Sequence, residues 1–448
     1  MMDKKVVKEL LNESACAHSA SKKSACNRPK PGNASGGCAF EGSQISLFPY
    51  DEAIHLVHSP STCLGASWGT RETPSSANRG FTKMGFCTDI SEHDVIFGGE
   101  RKLKESLEYL ITRYVPKAAF VYETCVCAMI GDDTPKVCKE AEERFGIPVI
   151  LVRAAGFVGS KNLGSRIAGE ELLEQLIGRK EPETLTPYDI NLIGEYNVTG
   201  DMWRYKPLLD ELGIRVLGAL SGDGRIDSIM QAHRAKLNVL VCAKSLVSLA
   251  RKMEERYGIP YISASFYGMR ESSRSLLSIV KALGDVELIE KAKTLIEREE
   301  RKCVKNLEPY MPILLGKKAV LNTGGNKAWS IASALQDLGV EVVATSVRKC
   351  TEDDKARCRE LLGEGAVLME NPGAEQYKVL EEKGADMLLA GGRSLYGAIK
   401  RKVAFVDVNQ EKHTSYGAYE GLVAFAKDLS HSLCNPVFKL VSQKAPWE

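Results

Sequence analysis

Short apolar runs alternate with helical patterns along almost the whole chain, and this alternation restricts the possible folds more than any other feature. The run Ala118–Tyr122, for example, precedes a helical pattern at Pro135–Phe145, and Ile147–Arg153 is the next apolar run. Continuously apolar runs of this length are typical of strands that are buried on both faces of a parallel sheet. The alternation falls into three batches and therefore predicts three α/β domains with helices on both faces of each sheet.

Changes in composition mark the predicted domain boundaries. Residues 1–30 are polar and mixed, which favours an N-terminal arm lying on the surface or on a partner. Prolines near Lys180–Thr186 mark the first boundary, and the charged helical stretch Ile289–Glu308 links to the last unit. The predicted domains are residues 31–185, residues 186–315, and residues 316–448 with a C-terminal helix. A cleft between such domains is a usual place for a binding site.

The composition excludes several classes of partner. Of the 448 residues, 44% are hydrophobic and 26% are charged, and the net charge is +2, so neither a nucleic-acid surface nor a membrane surface is expected. No apolar run approaches the roughly 20 residues that span a bilayer. The N-terminal sequence MMDKKVVKELLNES has no apolar segment of the kind that secretory signals carry. These features predict a cytoplasmic protein.

Cysteines are the residues that indicate chemistry. The chain has 13 cysteines and seven histidines, and in a reducing compartment such cysteines are buried, metal-binding or catalytic more often than disulfide-bonded. Cys125 follows the predicted strand Ala118–Tyr122, Cys63 follows the strand-like IHLVHSP, and Cys38 follows two glycines. Ligands of open α/β sheets collect outside the carboxyl ends of strands. These thiols are therefore expected in loops that face a site, although cysteine is also a common buried apolar residue.

Three of these thiols form a candidate ligand set, namely Cys38, Cys63 and Cys125. Successive members are 25 and 62 residues apart, so the chain has no short ferredoxin-like cysteine run. Thiolates prefer iron–sulfur clusters or zinc to hard cations. Three thiolates leave a fourth ligand to come from elsewhere, and spacing alone leaves the kind of metal open.

Three further features indicate an anionic ligand or a metal cluster. Cys242 ends a predicted strand and opens a helix, where a thiolate could anchor a preformed metal cluster, although a lone cysteine more often belongs to the core. Arg71 follows Cys63 closely, and its guanidinium could neutralise an acid or an anionic cluster. The glycine-rich segment from Gly159 to Ser165 is predicted to be a loop that precedes a helix at Ile167, a suitable arrangement for an anion.

Several motifs together resemble the nitrogenase component 1 superfamily, and in particular its cofactor-assembly branch. They are GGCAF, STCLG, TCVCAMIGDD, GFVGSKNLGSRIAGE, IGEYNVTGD, SGDG, MEERYGIP and NTGGNKAW. The resemblance covers nearly the full length and implies three Rossmann-like domains with parallel sheets. It also implies an α2β2 heterotetramer with a NifN-like chain.

The resemblance implies two groups of metal-binding cysteines. Cys38, Cys63 and Cys125 match the cysteines that hold a 4Fe-4S cluster at the subunit interface, where the NifN-like chain is expected to supply the remaining ligand. Cys242 matches the cysteine that holds the iron–molybdenum cofactor, or its iron–sulfur precursor, by one terminal iron.

The resemblance also implies a cofactor pocket, and departures from the dinitrogen-reducing chain indicate its use. Arg71 and Lys327 match basic positions that line the pocket. In the catalytic chain, a glutamine and a histidine contact the cofactor where this sequence has Lys161 and Ser165. A further histidine ligand is replaced here by the stretch Val408-Asn409-Gln410. A lysine favours the binding of an anionic, carboxylate-bearing species. Without the imidazoles, no histidine is in place to donate protons near the cluster, so substrate reduction is poorly supported.

The expected function is therefore a scaffold without catalytic turnover. In this interpretation an iron–sulfur precursor arrives from a precursor-donating radical enzyme. It then exchanges an iron for molybdenum, acquires homocitrate with the help of the nitrogenase iron protein, and passes to apo-nitrogenase component 1. The alternatives are a catalytic nitrogenase-type reductase alpha subunit, a scaffold for the vanadium cofactor, and a plain α/β binding protein. The missing histidines favour the scaffold, and nothing in the sequence separates molybdenum from vanadium.

Overall fold

The computed structural model describes residues 37–68, 74–76, 84–241, 243–409, 412–440 and 443. The predicted N-terminal arm, Arg71 and Cys242 lie outside these residues. The strands are β1 (Ala53–His58), β2 (Gly85–Cys87), β3 (Ala118–Glu123), β4 (Val149–Val152), β5 (Asp189–Glu195), β6 (Arg215–Ser221), β7 (Leu237–Leu240), β8 (Tyr261–Ser263), β9 (Lys318–Leu321), β10 (Glu341–Ser346), β11 (Val367–Met369), β12 (Met387–Ala390) and β13 (Ala404–Asp407).

Helices separate most of the strands. They are α1 (Ala39–Leu47), α2 (Ser61–Ser67), α3 (Glu92–Phe97), α4 (Glu100–Tyr114), α5 (Cys125–Ile130), α6 (Thr134–Phe145), α7 (Lys161–Gln175), α8 (Asp201–Glu211), α9 (Ile226–Gln231), α10 (Ala243–Tyr257), α11 (Met269–Leu283), α12 (Val286–Leu307), α13 (Met311–Leu314), α14 (Lys327–Asp337), α15 (Glu352–Leu362), α16 (Pro372–Glu382), α17 (Leu395–Lys400), α18 (Ala418–Leu433) and α19 (Pro436–Leu440). None of the described helices combines the length and the hydropathy needed to cross a bilayer.

The strands form three sheets, as the alternation predicts. Their strand orders are β2-β1-β3-β4, β6-β5-β7-β8 and β11-β10-β9-β12-β13. The pairs among β1–β4, among β5–β7 and among β9–β13 are parallel. The fold class is thus confirmed as α/β with parallel sheets.

By Cα proximity the described chain divides into two compact units. The first takes the residues up to Asn197 together with Arg215–Tyr261, and the second takes Val198–Ile214 and the residues from Ile262 onward. The first unit contains the sheet of β1–β4 with β5–β7, and the second contains the sheet of β9–β13. The division into predicted domains at residues 185 and 315 stays a prediction.

The sheet of β1–β4 shows why its strands are apolar throughout. All six residues of β1 and of β3 are buried. On one face, Leu103 and Leu107 of α4 and Val137 of α6 pack with Ile54 and Val121 of the strands. Burial on both faces requires continuous apolar runs, and this requirement explains the pattern that the sequence shows at Ala118–Tyr122.

The loop prediction for the segment from Gly159 to Ser165 is wrong over most of its length, because α7 begins at Lys161. Its glycine serves a helix crossing instead. A Cβ built on Gly164 would lie 1.8 Å from the carbonyl oxygen of Ala39 in α1, and one on Gly42 of α1 would lie 1.8 Å from that of Lys161. The two glycines therefore let the backbones of α1 and α7 approach each other closely.

Candidate functional site

The candidate site lies where β1 and β3 end side by side. His58, the last residue of β1, is paired in register with Glu123, the last residue of β3. The hydroxyl of Thr124 donates to the carbonyl oxygen of His58 at 2.9 Å and joins the two strand ends. Cys63 and Cys125 follow on the short helices α2 and α5, so the expectation that they lie in loops is wrong. Their position just beyond the carboxyl ends of the strands matches the expectation.

The third cysteine arrives from a different part of the first unit. Cys38 precedes α1 and forms an isolated antiparallel bridge with Ser160, which precedes α7. Its carbonyl oxygen accepts the backbone N–H of Gly42 at 3.1 Å. The close crossing of α1 and α7 thus fixes the backbone of Cys38.

Gly156 marks the place where two of the sulfurs meet. A Cβ built on this glycine would lie 3.0 Å from Sγ of Cys125 and 3.3 Å from Sγ of Cys38. The absence of a side chain at position 156 therefore leaves a cradle directly beside both sulfurs. The structure brings Cys38 and Cys125 together although they are 87 residues apart along the chain.

Cys63 belongs to the same group by its electrostatics. Burial raises the pKa of its thiol, and negative charge on Cys125 and Cys38 raises this pKa further. Three thiolates held this close repel one another, so a positively charged group is needed to keep all three ionised. The half-buried positions of the three side chains leave room for such a group to enter.

The spacing of the three sulfurs suits a cluster better than one ion. Ligands of a single zinc lie about 2.3 Å from it, so their sulfurs must converge on one point. Among the described residues, these three sulfurs are not all within 4.8 Å of one another. The donor set and the cradle at Gly156 thus fit an iron–sulfur cluster.

A further thiol, that of Cys87, lies near this group. Cys87 ends β2, and its sulfur lies 3.4 Å from the hydroxyl oxygen of Ser59 and donates to the Ser59 carbonyl oxygen at 3.1 Å. A negative charge on Cys87 also raises the pKa of Cys63. Only the parallel pairing of β1 with β2 brings Cys87 here, and no local motif indicates it.

Lys161 stands beside Cys38 at the start of α7. Its Nζ donates to Oε1 of Glu41 at 2.7 Å, and about a third of each side chain is exposed. Its backbone N–H donates to the carbonyl oxygen of Gly37 at 3.0 Å. Ser165, one helical turn further on, is buried and its hydroxyl donates to the carbonyl oxygen of Gly42 at 3.1 Å.

Lys327 belongs to the second unit and begins α14. Its Nζ donates to the carbonyl oxygen of Val408 at 3.4 Å and lies 5.2 Å from the centre of the Tyr267 ring. A cation over an aromatic face is held electrostatically. Lys161 and Lys327, the two predicted pocket residues with basic side chains that the structure describes, are therefore each held in place by the surrounding protein.

A buried ion pair that the sequence did not indicate lies close to Lys327. Lys412 places Nζ 2.6 Å from both carboxylate oxygens of Asp201. The same carboxylate accepts the Tyr267 hydroxyl at 2.8 Å, the Ser415 hydroxyl at 3.2 Å and the Tyr416 N–H at 2.8 Å. Burial acts to raise the pKa of Asp201, but the charges of Lys412 and Lys327 hold it below its usual range. Lys412 sits in a polar stretch, EKHT, and no local pattern marks it as buried.

The two histidines of β1, His55 and His58, are both buried. Nε2 of His55 lies 3.0 Å from the carbonyl oxygen of Tyr50, and Nδ1 lies 2.8 Å from the Tyr122 hydroxyl. A carbonyl oxygen can only accept, so Nε2 carries the proton and Nδ1 accepts from Tyr122. Nε2 of His58 lies 3.0 Å from Oδ2 of Asp132.

Comparison with known proteins places the chain in a family. Residues 38–434 match the family described as Nitrogenase component 1 type Oxidoreductase. A protein of Nostoc sp. (strain PCC 7120), named nitrogenase iron-molybdenum cofactor biosynthesis protein NifE, is 51% identical over 99% of this chain and 93% of its own length. A protein of the same name from Klebsiella pneumoniae is 47% identical over 98% of each chain.

A solved structure agrees in fold. The structure titled "Nitrogenase Cp1 at pH 6.5" superposes with a TM-score of 0.83 at 26% sequence identity, and the match covers 92% of this chain and 91% of that one. The match in sequence and the match in structure both run over nearly the whole chain. The chain therefore belongs to the nitrogenase component 1 type oxidoreductase family.

Proposed function

We propose that this protein is a scaffold on which the nitrogenase iron–molybdenum cofactor is matured. The observation that carries the proposal is the convergence of three thiols: Cys38 and Cys125 meet at the cradle of Gly156, and Cys63 interacts electrostatically with both. The names of the relatives, which are cofactor biosynthesis proteins, support the same role. The protein receives an iron–sulfur precursor, holds it while molybdenum and homocitrate are inserted, and releases it to apo-nitrogenase component 1.

The three converging cysteines hold a resident 4Fe-4S cluster in this proposal. They offer three thiolates from one chain, and a NifN-like chain in an α2β2 heterotetramer supplies the remaining ligand. When bound, such a cluster supplies one-electron transfer. The role of the chain itself is to fix the three sulfurs on α2, on α5 and before α1, and to keep position 156 free of a side chain.

The cargo is a different cluster, and its proposed contacts come from Cys242, Arg71, Lys161 and Lys327. Cys242 and Arg71 lie outside the described residues. Lys161 and Lys327 are held by Glu41 and by Tyr267, respectively, and their ammonium groups suit the carboxylates of homocitrate. One thiolate with several ionic contacts suits a cargo that must be released again.

The side chains around these lysines favour a scaffold over a reductase. Position 165 carries a buried serine whose hydroxyl is used by the Gly42 carbonyl oxygen. Asn409 accepts the Thr323 hydroxyl at 2.8 Å through its Oδ1. The nearest histidine in sequence, His413, is exposed. None of the three offers a buried imidazole for proton delivery to a cluster.

The test is a metal analysis of the complex purified without oxygen, with iron, sulfide, molybdenum and vanadium measured per chain. We expect iron and sulfide in amounts that exceed one 4Fe-4S cluster per chain pair, together with molybdenum when the nitrogenase iron protein and homocitrate are supplied. Vanadium in place of molybdenum would assign the protein to the other cofactor. Dinitrogen reduction by the complex alone would overturn the scaffold role.

Single substitutions separate the two clusters. Cys63→Ala or Cys125→Ala should abolish the electron paramagnetic resonance signal of the 4Fe-4S cluster, whereas Cys138→Ala, a buried cysteine of α6, should preserve it. Cys242→Ala should abolish loading of the precursor and leave the 4Fe-4S signal in place. An unaltered spectrum in the first pair, or normal loading in the last variant, contradicts the corresponding assignment.

A further inference from the structure

A second group of ligand-type side chains lies behind the candidate cluster site. A ring nitrogen of His58, Sγ of Cys127 and a carboxylate oxygen of Asp132 all lie within 4.8 Å of one another, and all three residues are buried. His58 ends β1, Cys127 lies on α5 and Asp132 follows that helix. None of these three side chains is a proposed ligand of the candidate cluster site.

Hydrogen bonds from neighbouring groups orient two of the three side chains. Nδ1 of His58 lies 3.1 Å from the Thr88 hydroxyl oxygen, which also accepts the N–H of Ser59 at 3.1 Å. Nε2 of His58 donates to Oδ2 of Asp132 at 3.0 Å, and when an ion takes Nε2 the ring proton moves to Nδ1, where the Thr88 oxygen can accept it. Oδ1 of Asp132 accepts the N–H of Gly99 at 2.8 Å, which leaves Oδ2 toward His58. Outer contacts of this kind are typical of metal-binding histidines and carboxylates.

The electrostatics of the group call for a cation. Asp132 and Glu123 are both buried carboxylates, with 2% of the Asp132 side chain and 4% of Glu123 exposed. Within the described part of the chain, the only basic partner of Asp132 is His58, and Glu123 has no ion pair; its Oε1 accepts the Thr134 hydroxyl at 2.7 Å. A buried carboxylate without an ion pair, such as Glu123, is costly, and a divalent ion close to it would offset that cost.

Position 99, a glycine, has no room for a side chain beside this group. A Cβ there would lie 2.7 Å from Oδ2 of Asp132 and 3.1 Å from Cε1 of His58. The backbone before α4 therefore packs directly on the carboxylate and the imidazole. Imidazole nitrogen, thiolate sulfur and carboxylate oxygen are all ligands that Zn²⁺ accepts in proteins.

We propose that His58, Cys127 and Asp132 bind one borderline divalent transition-metal ion of the Zn²⁺ class. Without an ion, the Cys127 thiol donates its proton to the carbonyl oxygen of His58 at 3.0 Å. On binding, that proton passes to solvent, and the thiolate and the carboxylate balance the two charges of the ion. Zinc with three protein ligands completes its tetrahedron with water, so no other side chain is required.

The ion would join the end of β1 to α5 and, through the hydrogen bond from Gly99 to Asp132, to the start of α4. Because α5 also carries Cys125, the ion stabilises part of the frame of the candidate cluster site before any cluster arrives. The inference does not depend on the proposed scaffold role, because none of its three ligands is a proposed cluster or cargo ligand.

The test uses the full-length chain with any partner that copurifies, equilibrated with Zn²⁺ and then passed over a chelating resin. Zinc, iron and sulfide per chain are measured in the parent, in Cys127→Ser and Asp132→Asn, and in the control Cys138→Ser. We expect about one retained zinc in the parent and in the control, and at least a 10-fold weaker zinc affinity in the other two variants. Iron and sulfide stay unchanged in all four proteins if the two metal sites are independent.

Cobalt gives a second measurement that does not depend on a damaged variant. Co²⁺ added to Cys63→Ala protein should give the charge-transfer absorption of a thiolate ligand, and this absorption should be absent when Cys127→Ser is added. Retention of zinc by Cys127→Ser at the parental level, or the lack of any retained zinc in the parent, overturns the proposal. Loss of iron from Cys63→Ala with zinc retained tests the cluster assignment separately.

Discussion

Lys412 holds both carboxylate oxygens of Asp201 at 2.6 Å, and both side chains are buried. A pair of this kind contributes less than its short distances suggest, because removing two charges from water is costly. Loss of one member alone is a different matter, since it leaves the other charge buried without compensation. The pair joins the first residue of α8 to the segment before α18, so its loss should destabilise both segments.

Lys412→Met should therefore lower the free energy of unfolding by about 3–5 kcal/mol. Urea denaturation monitored by circular dichroism measures the change. Lys206→Met is the matched control, because Lys206 pairs with Asp210 on the same helix α8 but both side chains are exposed, so about 0–1 kcal/mol is expected. Equal losses in the two variants would show that Asp201 is not held as described.

Gly156→Ala should lower the iron content of the purified complex without unfolding the chain. Alanine is compatible with the backbone here, but its methyl group would occupy the cradle beside the sulfurs of Cys38 and Cys125. Iron per chain and thermal unfolding are measured together, and Gly373→Ala, where a Cβ meets nothing within 4 Å, is the control. Full iron content in Gly156→Ala would mean that the cluster does not lie against position 156.

The crossing of α1 and α7 should tolerate no methyl group. Gly164→Ala would place a Cβ 1.8 Å from a backbone oxygen that no rotamer change can move. We expect a loss of about 3 kcal/mol, the upper end of the cost of overpacking. Gly365→Ala, in open space, should change stability by less than about 0.5 kcal/mol in the same denaturation experiment. A tolerated methyl group at position 164 would show that the helices can separate at little cost.

His55 should make stability depend on pH in the acid range. Burial lowers the pKa of His55 to about 4, although its bond to the Tyr50 carbonyl oxygen acts in the opposite direction. The unfolded chain takes up a proton near the usual histidine pKa of about 6.5, whereas the folded chain does so only near 4. The stabilising effect of neutral His55 is thus complete above about pH 6.5 and falls by roughly 3 kcal/mol as the pH drops to 4.

Unfolding free energies at pH 7, 6, 5 and 4 test this expectation. His55→Phe should be less stable than the parent at every pH, because Tyr50 and Tyr122 lose a partner, but its dependence on pH should be shallower. His93→Gln, which removes an exposed histidine, should keep the parental slope. The explanation fails if His55→Phe and the parent lose stability in parallel.

The sequence predicted those features that depend on periodicity and position. Fully buried strands such as β3 leave an unbroken apolar run, so the parallel sheets were predictable, as was the placement of Cys63 and Cys125 beyond strand ends. Glycine was less informative, because it serves turns and close helix crossings equally well. For this reason Gly164 was interpreted as part of a loop, although it lies inside α7.

Contacts between distant segments were not predictable. Cys87 reaches the candidate cluster site through strand pairing, Lys412 reaches Asp201 across 211 residues, and Asp132 reaches His58 across 74. Lys412 and Asp132 sit in polar stretches that give no sign of burial, and no local motif marks Cys87. Only the folded structure shows which distant residues are in contact, and the chemistry of each group can be inferred only from those contacts.

The six-residue helix α5 has a consequence for how this protein meets its surroundings. Cys125 is half-buried and Cys127 is fully buried, and two positions apart on a helix point to opposite sides. Helix α5 thus separates one sulfur that dissolved oxidants and chelators can reach from another sulfur that they cannot reach. A thiol reagent should therefore react with Cys125 directly, whereas it reaches Cys127 only when α5 opens.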